Sequence, residues 1–115
     1  MPSWQDVQAF CLAFPDAFLD HPWGDVVFKV GKKIFVFASG DTAPLAVTVK
    51  IPEALRETWL NGSYTFVPSY VGRYGWIGIR VVDEASWDMA QRGIEWSFSR
   101  VAGSQRISRW KSLSQ

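Results

Sequence analysis

"VVFKVGKKIFVFAS", residues 26–39, is the stretch whose reading decides the fold. Two runs rich in Val, Ile and Phe flank "GKK", and Gly31 supplies the backbone angles that a tight reversal needs. The stretch predicts a β-hairpin with Lys32 and Lys33 at its tip. Pairing across so short a connection is antiparallel, because a parallel partner needs a crossover of a dozen residues or more.

Working outward, "GDTAP" (40–44) is a second turn and "LAVTVK" (45–50) a third strand. Leu45, Val47 and Val49 face one way in that strand, and Ala46, Thr48 and Lys50 the other. "PEALRETWL" (52–60) predicts a short helix with Pro52 in its first turn, ended by Asn61-Gly62. "SYTFVP" (63–68) is a brief strand. "GWIGIRVV" (75–82) is a firmer one, with Trp76, Gly78 and Arg80 on one face and Ile77, Ile79 and Val81 on the other.

Helices bracket these strands. In "SWQDVQAFCLAF" (3–14), Ser3 is an N-cap with Asp6 three residues on. Trp4, Val7, Phe10, Cys11 and Phe14 form its apolar face, and Pro15 stops it. "AFLDHPWGD" (17–25) is a loop or short edge strand. In "DEASWDMAQRGIEWSFSRVA" (83–102), Trp87, Ala90, Ile94, Phe98 and Val101 form one core stripe. Asp83 and Glu84 suit its positive N-terminal end. The expected fold is α+β: an antiparallel sheet with the N- and C-terminal helices packed on one face. A single domain spans residues 1–102, and the basic, Ser-rich tail 103–115 is expected to fray.

Composition limits the function. One cysteine, Cys11, allows no internal disulfide and fits a reducing cytosol. Met1–Gln8 has no basic start and no long apolar run, so no secretory leader is expected. No apolar stretch is long enough for a membrane span. The net charge of +1 names no partner. Its distribution is uneven: residues 1–60 hold five Lys/Arg against seven Asp/Glu, and residues 61–115 hold seven against four. The bias is milder than the dense patches of dedicated nucleic-acid binders.

Catalytic chemistry has little to stand on. The single His21 could at best join Asp20 and Asp25 in a metal site, and reads better as a hydrogen-bonded loop imidazole. Cys11 lies on the apolar face of its helix and reads as a small hydrophobe, not a nucleophile activated by His21. No phosphate-cradling glycine loop is present. The expectation is a non-enzymatic domain with no cofactor and no metal. A small-molecule pocket near His21, Trp23 and Trp76 ranks below the binding readings that follow.

Taken together, "HPWGDVVFKVGKKIFVF", "VTVKIPEALRETWL", "YVGRYGWIGI" and "WSFSRVA" resemble the MmcQ/YjbR family of small bacterial proteins, over residues 4–102. The matching positions are His21, Pro22, Trp23 and Gly24 in a turn, Phe28, Lys29 and Lys33 in the hairpin, Lys50 at a strand end, and Tyr70, Gly72, Arg73, Gly75 and Trp76. Phe98 stands where that family commonly has Tyr, and Trp96 where a polar residue is usual. The resemblance implies a fold related in outline to frataxin-like and secretion-chaperone-like proteins. It also implies DNA binding through a double-wing arrangement in the cytoplasm. Frataxin-like iron binding does not carry over, because the first helix holds only Asp6, with Asp16 beyond its end.

"YVGRYGWIGIR" (70–80) has two readings. Gly72 and Gly75 permit a tight turn, with Trp76 at the edge of the core. As a wing, the same turn would set Arg73 and Lys50 on the phosphates of double-stranded DNA, with Tyr70 or Tyr74 packing on sugar or base and Trp76 in the same DNA-binding set. Lys32 and Lys33 would form the second wing. Separately, Met89, Arg92, Trp96 and Arg100 line the last helix opposite its core stripe. Either the tail folds back so that Trp110 or Leu113 covers Trp96, or the stripe meets a partner or a second copy in a homodimer. The alternative to DNA binding is a protein-interaction or chaperone-like adaptor that uses the sheet face or this Met89–Arg100 stripe.

Overall fold

The computed structural model describes residues 2–21, 26–69 and 71–113. Its elements run α1 (Trp4–Leu12), β1 (Ala17–Asp20), β2 (Val26–Val30), β3 (Lys33–Ala38), β4 (Ala46–Lys50), α2 (Glu53–Leu60), β5 (Thr65–Phe66), a 3-10 turn (Gly72–Tyr74), β6 (Trp76–Arg80), α3 (Glu84–Val101) and α4 (Ser104–Leu113). The strands form one antiparallel sheet in the order β1-β2-β3-β4-β6-β5. The α+β expectation holds, and so do the hairpin and the facing of β4 and β6.

Local chemistry starts α1 and α3 where the sequence predicts, although α1 ends at Leu12, before Pro15, and the 63–68 strand shortens to Thr65–Phe66. Ser3 and Asp6 close a capping box on α1, and Asp83 and Ser86 do the same for α3. Gly31 has φ +61° at the first position of the two-residue β2–β3 loop, where an L side chain would be strained. Pro52 sits at the N-cap of α2, one residue earlier than predicted.

The core lies between the sheet and a layer of α1 and α3. Phe28, Val36, Val47, Val49, Ile77 and Ile79 point into it from the sheet. Val7, Cys11, Phe14, Ala90, Ile94 and Phe98 meet them from the helices and the turn after α1. Burial pushes the Cys11 thiol well above its ordinary pKa, which keeps it protonated and unreactive.

The buried face of α3 is wider than the predicted stripe, because it also takes in Ser86, Gly93 and Ser97. A Cβ at Gly93 would stand 2.8 Å from Val49 Cγ2, so glycine lets the helix ride close to β4. Ser97 has a specific task. Phe28 pairs with Val36 but Lys29 pairs with Ile34, so Phe35 is an extra residue in β3. This bulge turns both Phe35 and Val36 toward the core. The β3–β4 ladder keeps two registered pairs, Phe37 with Thr48 and Ala38 with Val47. Beyond them, Ser97 Oγ accepts from the Lys50 N–H at 3.1 Å and donates to the Phe35 carbonyl. One hydroxyl thus satisfies a donor and an acceptor that the bulge takes out of register.

The tail departs from expectation. Residues 104–113 form α4, and Gly103 at φ +82° turns the chain back from α3. The Trp110 ring packs on Phe14 and Phe98 at centroid distances of 5.4 and 5.7 Å. Arg106 Nε and Arg109 Nη1 donate to Asp16 Oδ2 at 2.9 and 3.0 Å. Aromatic packing and a double ion pair hold a segment that composition alone reads as frayed.

Two outcomes follow. Ser97→Ala leaves a part-buried N–H and a buried C=O without their partner, and should lower unfolding stability by about 1–3 kcal/mol. A shift of the urea midpoint at constant m-value checks this. Arg106 and then Arg109 hold the Asp16 carboxyl below its ordinary pKa. A depressed folded pKa gives stability that is present above the unfolded value and lost as pH falls through the folded one. The stability gap between the wild-type chain and Asp16→Asn should therefore be open at neutral pH and close below the usual aspartate range. Asn also tolerates the φ of +64° at this position, so the comparison isolates the charge.

Candidate nucleic-acid interface

Sheet register sets the relation between the two predicted wings. Lys33 begins β3 beside the hairpin tip, and Lys50 ends β4 level with the Phe35 bulge. Lys50 pairs with Trp76, the first residue of β6. The tip, the end of β4 and the 72–75 turn therefore all lie at one end of the sheet. β3 and β6 flank β4, which puts them about 10 Å apart. The tip extends about 7 Å beyond Phe35 along the strand direction.

Lys32 and Lys33 are exposed there. Lys50 is half-buried along its stem, and a Cβ on Gly75 would stand 3.3 Å from its Cε. Gly75 has φ +92°, so it serves the turn both by its backbone and by leaving room for the lysine. Tyr74 is 56% exposed. Trp76 is committed to the sheet: its ring meets Phe37 edge-on at 5.1 Å, on the face away from the helices. Tyr70 and Trp23, together with Pro22 and Gly24, lie outside the described residues, as does the side chain of Arg73.

The turn itself is firmly built. Gly72 N–H bonds to the Pro68 carbonyl at 3.1 Å, Tyr74 N–H to Val71 at 2.9 Å and Gly75 N–H to Gly72 at 3.2 Å. Arg56 Nη2, from α2, donates to the Gly72 carbonyl at 2.8 Å. A Cβ at Gly72 would press on Val67 Cγ1. Phe66 lies flat on Gly78, where any side chain would overlap its ring, and the Arg80 guanidinium stacks 4.8 Å from its centroid. Residues 66–69 and 71–75 thus cover part of the second sheet face.

Charge is divided between the two ends. Asp41 follows β3, and Asp83 and Glu84 follow β6, at the end away from the hairpin tip. At the tip end Glu53 opens α2, and Asp16 is engaged by Arg106 and Arg109. Lys29, beside the tip on the second face, is held by Asp20 at 3.3 Å.

The remaining predicted positions separate from this end. His21 is exposed after β1. A cavity of about 360 Å³ lies on the second sheet face, lined by Val26, Phe37, Ala38, Thr48, Pro68, Ser69 and Val71, and His21 is not among its described lining residues. Met89 packs against the core, so the predicted outer stripe of α3 shortens to Arg92, Trp96 and Arg100. The tail does fold back: Trp110 shares a groove with Trp96, which stays 44% exposed. Among the described residues no group of three metal-ligating side chains occurs, and no helix is long and apolar enough to cross a membrane.

The YjbR family model matches residues 12–100. The chain belongs to the YjbR family. A crystal structure of Deinococcus radiodurans protein DR2400, described as a DUF419 domain, superposes with a TM-score of 0.77 at 15% identity. The match covers 91% of this chain and 82% of that one, and at this identity it shows a shared fold. No curated protein matches. The YjbR match ends before α4 begins, so Trp110 and the two arginines that clasp Asp16 stand outside it.

Proposed function

We propose that this YjbR protein binds double-stranded DNA weakly through the basic end of its sheet, with Lys32 and Lys33 on one projection and Lys50 with the 72–75 turn on the other. The observation that carries the reading is the register, which brings two separated basic segments to the same end while Asp41, Asp83 and Glu84 occupy the opposite one. Phosphates demand cations spaced along a surface, and a β-ribbon tip is narrow enough to enter a major groove. The 72–75 turn meets the Lys50 side chain at Gly75 and presents the exposed Tyr74. Few base contacts are available, so affinity is low and rests on phosphate contacts, and it falls as salt rises with a slope set by the number of phosphates neutralised. The reading is a binding role in the cytoplasm, without catalysis.

Titrating labelled duplex DNA at several salt concentrations tests it. Lys32→Ala with Lys33→Ala should weaken binding and flatten the log–log salt dependence by about 2, or roughly 0.9 for each phosphate no longer neutralised. Equal affinity and slope in the wild-type and double-variant proteins, or no binding at low salt, would contradict it.

A further inference from the structure

The helical layer holds a second feature, unrelated to the sheet end. Glu95, on α3, lines two adjoining grooves of about 270 Å³ each. One is walled by Phe10, Phe14 and Trp110, and the other by Trp96 and Trp110. The rings form a continuous wall: Phe10 meets Phe14 at 5.5 Å, and Phe14 meets Trp110 at 5.4 Å. Among the described residues the Glu95 carboxylate makes no hydrogen bond and no ion pair, and its surroundings hold it above the ordinary glutamate pKa by desolvation. Arg92, one turn earlier and exposed, is the cation on the rim and opposes that shift only in part.

A half-buried carboxylate among aromatic faces is costly unless a cation joins it. Small, strongly hydrated cations gain little from ring faces. A methylated ammonium sheds water readily and gains from the ring quadrupoles as well as from the carboxylate. We infer that the groove around Glu95, Trp96 and Trp110 binds a quaternary ammonium group, with Glu95 as counter-ion and the indoles as its walls. The group can come from a free small molecule of the choline type or from a trimethylated lysine side chain, and the chemistry of the site is the same for both. Trp110 belongs to α4, beyond the residues that the family model matches.

The test follows the indole N–H signals of the full chain by NMR at constant ionic strength. Three probes are titrated: choline chloride, a short trimethyl-lysine peptide, and 3,3-dimethylbutanol, the uncharged isostere of choline. Saturable shifts of Trp96 and Trp110 with either cation support the site, and the tighter of the two assigns the source. The uncharged isostere should bind about tenfold or more weakly, and Glu95→Gln should weaken the cation by a similar factor. Trp96→Ala, at a half-exposed position that the fold does not need, should weaken it too while Trp110 still reports. The inference is overturned if neither cation gives saturable shifts, if the isostere binds equally well, or if Glu95→Gln binds the cation as the wild-type chain does.

Discussion

A single serine hydroxyl completes the join between the two halves of this sheet where the β3–β4 ladder stops. The β3 bulge sends Phe35 and Val36 both into the core, and the cost is a ladder to β4 that runs out after two registered pairs. At that point Ser97 reaches down from α3 and joins the Lys50 N–H to the Phe35 carbonyl. Without it, a part-buried N–H and a buried carbonyl would lack their partner, and the end of β4 would lose its link to the hairpin. Lys50 is then held on both sides, by Ser97 toward the hairpin and by its pairing with Trp76 toward β6, and its side chain meets the turn at Gly75.

From this constraint the division of the surface follows. The hairpin tip and the β6 turn are separate in sequence but share one end of the sheet because β4 runs between them. Cations collect there, while the helix N-cap of α3 and the β3–β4 turn place acids at the other end. The helical layer is chemically different. It is aromatic, closed by α4, and carries one carboxylate between its grooves. A chain with a net charge of +1 can thus present two faces of opposite preference.

Much of this is legible in the residues. The "GKK" reversal, the alternation in β4 and β6, the Ser3–Asp6 capping box and the acidic start of α3 follow from local rules, and each stands where those rules put it. The bulge is not legible, because "KIFVF" reads equally well as plain alternation and as alternation with one extra residue. Ser97 escapes notice for a related reason: a serine on a helix reads as solvent-facing until a gap in the sheet is known to lie beneath it. The order of the tail is hidden because its determinants are remote. Asp16 lies 90 residues from Arg106, and the Trp110 pocket is assembled from Phe14 and Phe98. Spacing and resemblance single out the wing lysines, whereas Trp76 and Met89 are spent on packing.

Amide hydrogen exchange at Lys50 tests the central claim most directly. It is the last residue of its strand, next to a turn, and a strand end held only by its own ladder frays. If Ser97 anchors it, the Lys50 amide should exchange as slowly as those of Val47 and Val49, through global unfolding. Exchange at Lys50 as fast as in the neighbouring loop, with Val47 and Val49 still protected, would contradict the account.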